Sequence, residues 1–245
     1  EPASRGTGVA NLVEIPPDRK IVAVMPIGDF DEGVFLTMVT KRGIVKKTPL
    51  SEYKNIRSKG INAINIDDGD ELLDVIRTDG NRRIFIATRD GMAVLFDESA
   101  VRPVGRGIKL RPGDIAVAAC SVSKDGSEKI LSVSEKGFGK QTQISGYRIT
   151  NRGGVGVINM KTTAKTGKVV AAFPVRDDSE VMIITQQAKL IWIGADSIRE
   201  TGRNAQGVTL IKCDEDDCVT SATLLPENDR DDSKNDGLGS ENVSE

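Results

Sequence analysis

The stretch VFLTMVTKRGIVKKTPLSEY at 34–53 decides the fold: an apolar run, a polar turn closing on Gly43, a second strand-like run and an apolar-aromatic stop. Apolar and β-branched residues on both sides of a short glycine turn signal a β-hairpin. The phrase returns as IFIAT-RDG-MAVLF (84–96), ILSVS-EKG-FGKQT (130–142) and VMIIT-QQA-KLIWI (181–193). The turns close on Gly43, Gly91, Gly137 and Ala188, spaced 48, 46 and 51 residues apart. Glycine suits a hairpin position that needs a positive φ, and Ala188 is the substitution such a position tolerates least.

Outward from each hairpin, a loop leads to a third strand: GINAINI (60–66), GIKL (107–110), GVGVINM (154–160) and GVTLIK (207–212). A fourth follows: ELLDVIRT (71–78), IAVAACSV (115–122), KVVAAFPV (168–175) and CVTSATLL (218–225). Four strands in units of roughly 50 residues, none able to bury its own face, predict an all-β, propeller-like array. No segment sustains a 3.6-residue apolar period, so helices should be few. The expected blades are 28–79, 80–125, 126–177 and 178–227. Residues 1–27 read as the third and fourth strands of a truncated repeat, and 228–245 as an acidic disordered tail.

The chain has no histidine, which excludes Ser-His-Asp and Cys-His catalysis and any histidine-based metal site. Three cysteines do not make a disulfide framework and point to a reducing cytoplasm. Apolar runs such as VVAAFPV (169–175) fall far short of the roughly 20 residues of a membrane helix. The GGVGVI run at 153–158 lacks the strand–loop–helix context of a dinucleotide site, and no phosphate-binding P-loop occurs. No catalytic residue, cofactor site or metal site is expected in this chain.

Charge is segregated. Residues 214–245 hold 11 acidic and 2 basic side chains, leaving residues 1–213 with a net charge of +7. A basic body with an acidic tail points to a polyanionic partner. Ten residues past each turn stand Tyr53, Val101, Tyr147 and Ile198, which read as packing anchors. One residue further stand Lys54, Arg102, Arg148 and Arg199, and at fourteen or fifteen stand Arg57, Arg106, Arg152 and Arg203. Equivalent positions in a radial array share one edge, so these cations would form a curved belt for a bent phosphate backbone. Arg42, Lys46, Lys47, Lys59, Lys109, Arg111, Lys136 and Lys140 could reinforce it. The acidic tail is either a solubilising end or a tethered competitor for that belt.

The segments GDELLDV (69–75), GIKLRPGD (107–114), TNRGGVGVINMK (150–161), GRNAQGVTLI (202–211) and KRGIVKKTPLSEY (41–53) closely resemble the C-terminal domain family of the bacterial DNA gyrase A protein. The resemblance covers residues 4–227. It implies a β-pinwheel, a disc of propeller-like blades with exchanged strands that wraps double-stranded DNA on its basic rim. It also implies a cytoplasmic, nucleoid-associated A2B2 assembly with the rest of the gyrase A protein and with the gyrase B protein. The family's active-site tyrosine, and its use of ATP and Mg2+, lie outside this chain. The family's Gln-Arg-Arg-Gly-Gly-Lys-Gly box is not in the sequence, and NRGGVG (151–156) is a degenerate relative of it. The second repeat, VRPVGRGIKL (101–110), is shorter than the last around Arg106. The equivalent domain of topoisomerase IV and a WD-repeat-like protein scaffold are the competing readings.

Overall fold

The computed structural model describes residues 21–55, 60–101, 107–151 and 153–225. The first hairpin is β1 (Phe35–Thr40) and β2 (Val45–Pro49), followed by β3 (Leu72–Thr78). The second repeat gives β4 (Arg83–Thr88), β5 (Met92–Asp97) and β6 (Ala116–Val122). The third gives β7 (Lys129–Ser134), β8 (Phe138–Gln143), β9 (Val157–Ile158) and β10 (Val169–Val175). The fourth gives β11 (Glu180–Thr185), β12 (Leu190–Gly194), β13 (Val208–Thr209) and β14 (Val219–Leu224). Helix among the described residues is limited to 3-10 turns at Leu50–Tyr53, Glu98–Ala100, Ile144–Gly146 and Ala195–Ser197. Residues 21–27, part of the expected truncated repeat, form no strand; Met25 and Ile27 pack on the cluster of Leu36, Met38, Leu50 and Tyr53.

Four antiparallel sheets result, ordered β2-β1-β3, β6-β4-β5-β9, β10-β7-β8-β13 and β12-β11-β14. The fourth strands β3, β6, β10 and β14 lie innermost and contact one another in that sequence. In each repeat a threonine or serine stands three residues before the turn closes. Thr40, Thr88 and Thr185 accept the amides of Ile44, Met92 and Lys189 at 3.0, 3.2 and 3.2 Å. A register shift beside Thr40, Thr88 and Thr185 bends the fourth strand away at this point. Asp70, Asp114 and Asp217 then tie the start of the fourth strand to the turn, accepting the amides of Arg42, Asp90 and Gln187 at 2.8, 2.9 and 3.1 Å.

The third strands do not pair with their own hairpins. β9, from the third repeat, pairs with β5 of the second through Met92–Ile158 and Ala93–Val157. β13, from the fourth, pairs with β8 of the third through Phe138–Thr209 and Gly139–Val208. The GIKL segment of the second repeat makes the same approach to the first, with Ile108 N–H on the Gly43 carbonyl at 2.8 Å. Each crossing covers a hairpin edge whose amides and carbonyls would otherwise lack partners. These short strands are two residues long, less than the expected runs, because the crossing chain turns off once it passes the hairpin turn.

Hydrophobic layers fill the spaces between blades. Val39, Ile84, Phe96 and Ile108 join the first to the second, Phe85, Leu95, Ile130 and Tyr147 the second to the third, and Leu131, Val181, Ile198 and Ile211 the third to the fourth. The four anchors Tyr53, Val101, Tyr147 and Ile198 are all buried. Tyr147 meets Phe85 edge-on at 5.1 Å and donates to Asn159 Oδ1 at 2.6 Å, while burial pushes its phenol pKa up. Trp192 lies 55% exposed on β12, whose outer edge no described segment crosses.

The crossings explain the turn glycines. Gly137 has φ +77°, and a Cβ there would overlap the Ile211 carbonyl; at Gly91, φ +81°, it would overlap that of Met160. Ala188 takes the same conformation, φ 61°, at the one hairpin with no described crossing. Its methyl therefore meets the backbone penalty alone. Gly137→Ala is expected to destabilise the fold by upwards of about 2 kcal/mol, whereas Ala188→Gly should stabilise it by about 0.5–1 kcal/mol. Denaturant titration of the two variants checks both signs.

Candidate nucleic-acid interface

Each crossing segment first runs along the outer strand of the preceding hairpin and then doubles back as its third strand. Ile149 forms a parallel bridge with Leu95, and Glu200 one with Gln141. Thr150 N–H donates to the Leu95 carbonyl at 2.8 Å, and Thr201 N–H to that of Gln141 at 2.9 Å. The residue just before each bridge, Arg148 or Arg199, is thereby held at the outer edge of the sheet, farthest from the inner strands. Both side chains are exposed and form no ion pair among the described residues. Lys54 is likewise exposed, directly after the first 3-10 turn. The backbone thus puts Arg148 and Arg199 on equivalent outer positions, and Lys54 is exposed beside the corresponding corner of the first repeat. Arg102, the fourth member of this cation column, lies outside the described residues, as do Arg57, Arg106, Arg152 and Lys59.

Arg203 sits on the same edge but works partly as a tether. Its Nε donates to the Gly146 carbonyl at 2.6 Å and its Nη1 to that of Ile158 at 3.1 Å, binding the fourth repeat to the third. Three other expected cations are drawn inward. Lys46 donates to the Ala63 carbonyl at 2.7 Å. Lys47 lies 4.4 Å above the Phe35 ring and 3.7 Å from the fully buried Glu98 carboxylate of the next blade. The third, Lys140, departs furthest from the belt. Among the remaining reinforcing cations, Lys109, Arg111 and Lys136 stay exposed, and Arg42 is exposed while donating to the Asp68 carbonyl at 3.2 Å.

Lys140 is fully buried, and its ammonium donates to Thr142 Oγ1 at 2.9 Å, the Gly202 carbonyl at 2.9 Å and the Arg203 carbonyl at 3.2 Å. The lysine pins the crossing segment that carries Arg199 and Arg203, so it positions the rim and does not reach a phosphate from this position. Burial, helped by the charge of Arg203, lowers its pKa to about 8. The unfolded chain, with an ordinary lysine near 10.4, holds the proton through a window where the folded protein has released it. Folding stability therefore gains from this group as pH rises from about 8 toward 10. Lys140→Met removes that gain, so the stability advantage of the parent over this variant should be larger at pH 9.5 than at pH 7. Denaturant titrations at the two pH values measure it.

Comparison with known proteins matches this geometry. The family model "DNA gyrase C-terminal domain, beta-propeller" matches residues 35–79, 82–121, 128–176 and 179–226. The DNA gyrase A protein of Helicobacter pylori (strain ATCC 700392 / 26695) is 45% identical over 214 residues, 84% of this chain and 26% of that protein. The DNA gyrase A protein of Deinococcus deserti is 40% identical over 229 residues, 89% of this chain and 28% of that protein. The chain thus spans about a quarter of the length of these relatives. Among solved structures, the C-terminal domain of a DNA topoisomerase IV superposes with a TM-score of 0.82 at 27% identity, over 90% of this chain and 70% of that one. A DNA gyrase A C-terminal domain superposes with a TM-score of 0.78 at 24% identity, over 91% and 76%, a likeness of fold. Four repeats matched in register, with close relatives along most of the chain, place it in the DNA gyrase C-terminal domain family.

Proposed function

We propose that this chain binds duplex DNA along the outer edge of its blades and bends it there, without reading sequence. The observation that carries the proposal is the strand crossing, which holds Arg148 and Arg199 at equivalent outer positions by paired backbone hydrogen bonds. Repeated cations on a curved edge favour a curved polyanion, and phosphate contacts bring affinity through counterion release. No recognition helix is present among the described residues, so preference among duplexes comes from bendability. The parent assembly would be a gyrase, two A and two B proteins in the cytoplasm. Its ATP-driven strand passage would use the wrapped segment to introduce negative supercoils. The Helicobacter pylori and Deinococcus deserti relatives, 45% and 40% identical and both named as gyrase A proteins, favour gyrase over topoisomerase IV despite the high TM-score of the latter's domain.

Changing Lys54, Arg102, Arg148 and Arg199 together to Glu should nearly abolish binding to a duplex. The fold should persist, because exposed charges contribute little stability. In single neutral variants, the slope of log affinity against log salt should fall by about 0.9 for each phosphate interaction removed. Undiminished affinity in a folded quadruple variant would refute the belt. Weak salt dependence in the parent would favour a protein-binding scaffold instead.

A further inference from the structure

The repeats are not electrically equal. From Lys136 to Arg176 the sequence contains Lys136, Lys140, Arg148, Arg152, Lys161, Lys165, Lys168 and Arg176, and no Asp or Glu. In the structure several of these gather where the β7–β8 turn meets the loop leading to β10, at the end of the blade opposite the 3-10 corner. Lys136 N–H donates to the Thr166 carbonyl at 3.2 Å, and its ammonium to the Ala164 carbonyl at 2.7 Å. Lys165 stands 5.5 Å over the Phe138 ring, and Lys161 is exposed on the same loop.

At the corresponding ends of the other repeats, carboxylates neutralise part of the charge, although Arg42, Arg89, Lys109, Arg111 and Lys212 form no ion pair there among the described residues. Lys41 pairs with Glu71 at 2.8 Å and Lys189 with Asp214, while Lys168 of the third repeat itself crosses to Asp90 of the second at 2.7 Å. The aspartate that ties the turn in those repeats is replaced in the third by Thr163 and Thr166, whose hydroxyls lock the loop without charge, Thr163 N–H donating to Thr166 Oγ1 at 2.9 Å. Lys136, Lys161 and Lys165 form no ion pair among the described residues. The adjacent carboxylate, Glu135, is half-buried against Gly167.

We propose that this turn end of the third repeat is a second DNA-contact surface. Lys136, Lys161 and Lys165 would grip one phosphate backbone while Arg148, past the other end of β8, grips the backbone across the groove. β8 alone sets its two ends five residue steps apart, about 17 Å at roughly 3.3 Å each, and Arg148 lies past the far end on the chain that crosses to β5. That separation brackets a major groove about 12 Å wide with a backbone on each side. The third repeat becomes the strongest grip on the duplex, with weaker holds on either side. The inference rests on the DNA-binding reading above and adds to it the path of the duplex across the blade.

The test compares four proteins over a salt series with one duplex: the parent, R148Q, K161Q/K165Q, and K41Q/K189Q as a control of equal charge change to the double variant. Lys136 is left intact because it also holds the Ala164 carbonyl. The expected result is a slope reduced by about 0.9 per phosphate interaction removed in K161Q/K165Q and close to the parent's in the control. Hydroxyl-radical footprinting should then lose protection on one strand only. Should the parent itself fail to bind with a steep salt slope, the functional reading falls. If the parent binds and R148Q weakens it, yet K161Q/K165Q matches the parent, the second surface alone is overturned. Equal losses in K161Q/K165Q and the control would mark a general charge effect and overturn it as well.

Discussion

A hairpin with an uncovered outer edge leaves a row of backbone donors and acceptors unpaired, and this constraint organises the rest of the molecule. The solution is to send each repeat across the face of its predecessor before it returns to build its own inner strand. The Met92–Ile158 and Phe138–Thr209 pairs seal the edges of the second and third hairpins. Because the crossing backbone passes directly over the hairpin turn, Gly91 and Gly137 have no room for a methyl. Because it starts from the 3-10 corner, Tyr147 and Ile198 are buried just before it and Arg148 and Arg199 are exposed just as it begins.

The same arrangement sorts the cations. Those on strands and covered by the next crossing turn inward: Lys47 toward the buried Glu98 and Lys140 toward three oxygens without any carboxylate. Arg148 and Arg199, on the crossing chain itself, face outward, while Arg203 on the same chain ties the fourth repeat to the third. Lys140 links the two groups, since the loop it pins is the one that presents Arg199. A buried ammonium with a pKa near 8 is a costly fastener, and the three hydrogen bonds it donates offset that cost.

Much of this was legible in the sequence. The apolar runs on either side of each turn located all four hairpins, and the anchor column marked Tyr147 and its counterparts as buried. The fourth strands lie where GDELLDV and its counterparts placed them, with β3 at Leu72–Thr78 and β14 at Val219–Leu224. What a repeat pattern cannot reveal is which hairpin a strand joins, because β9 would show the same apolar signature in either partner. The inward lysines were missed for a related reason: alternation assigns a face to a residue only when one face is open, and β8 is covered on its outer edge. A usable hint was the setting of Lys140, flanked by Gly139, Gln141 and Thr142 with no neighbouring charge. Ala188 carried a second hint, a side chain at the one turn that no described strand crosses.

Binding and wrapping are different claims, and only topology separates them. The decisive measurement relaxes closed circular DNA with a nicking-closing enzyme in the presence of increasing amounts of this domain, removes the protein, and resolves the topoisomers. Wrapping on a curved cationic edge predicts a trapped linking-number change of one sign that grows with the amount bound. Saturating binding with an unchanged topoisomer distribution would contradict it.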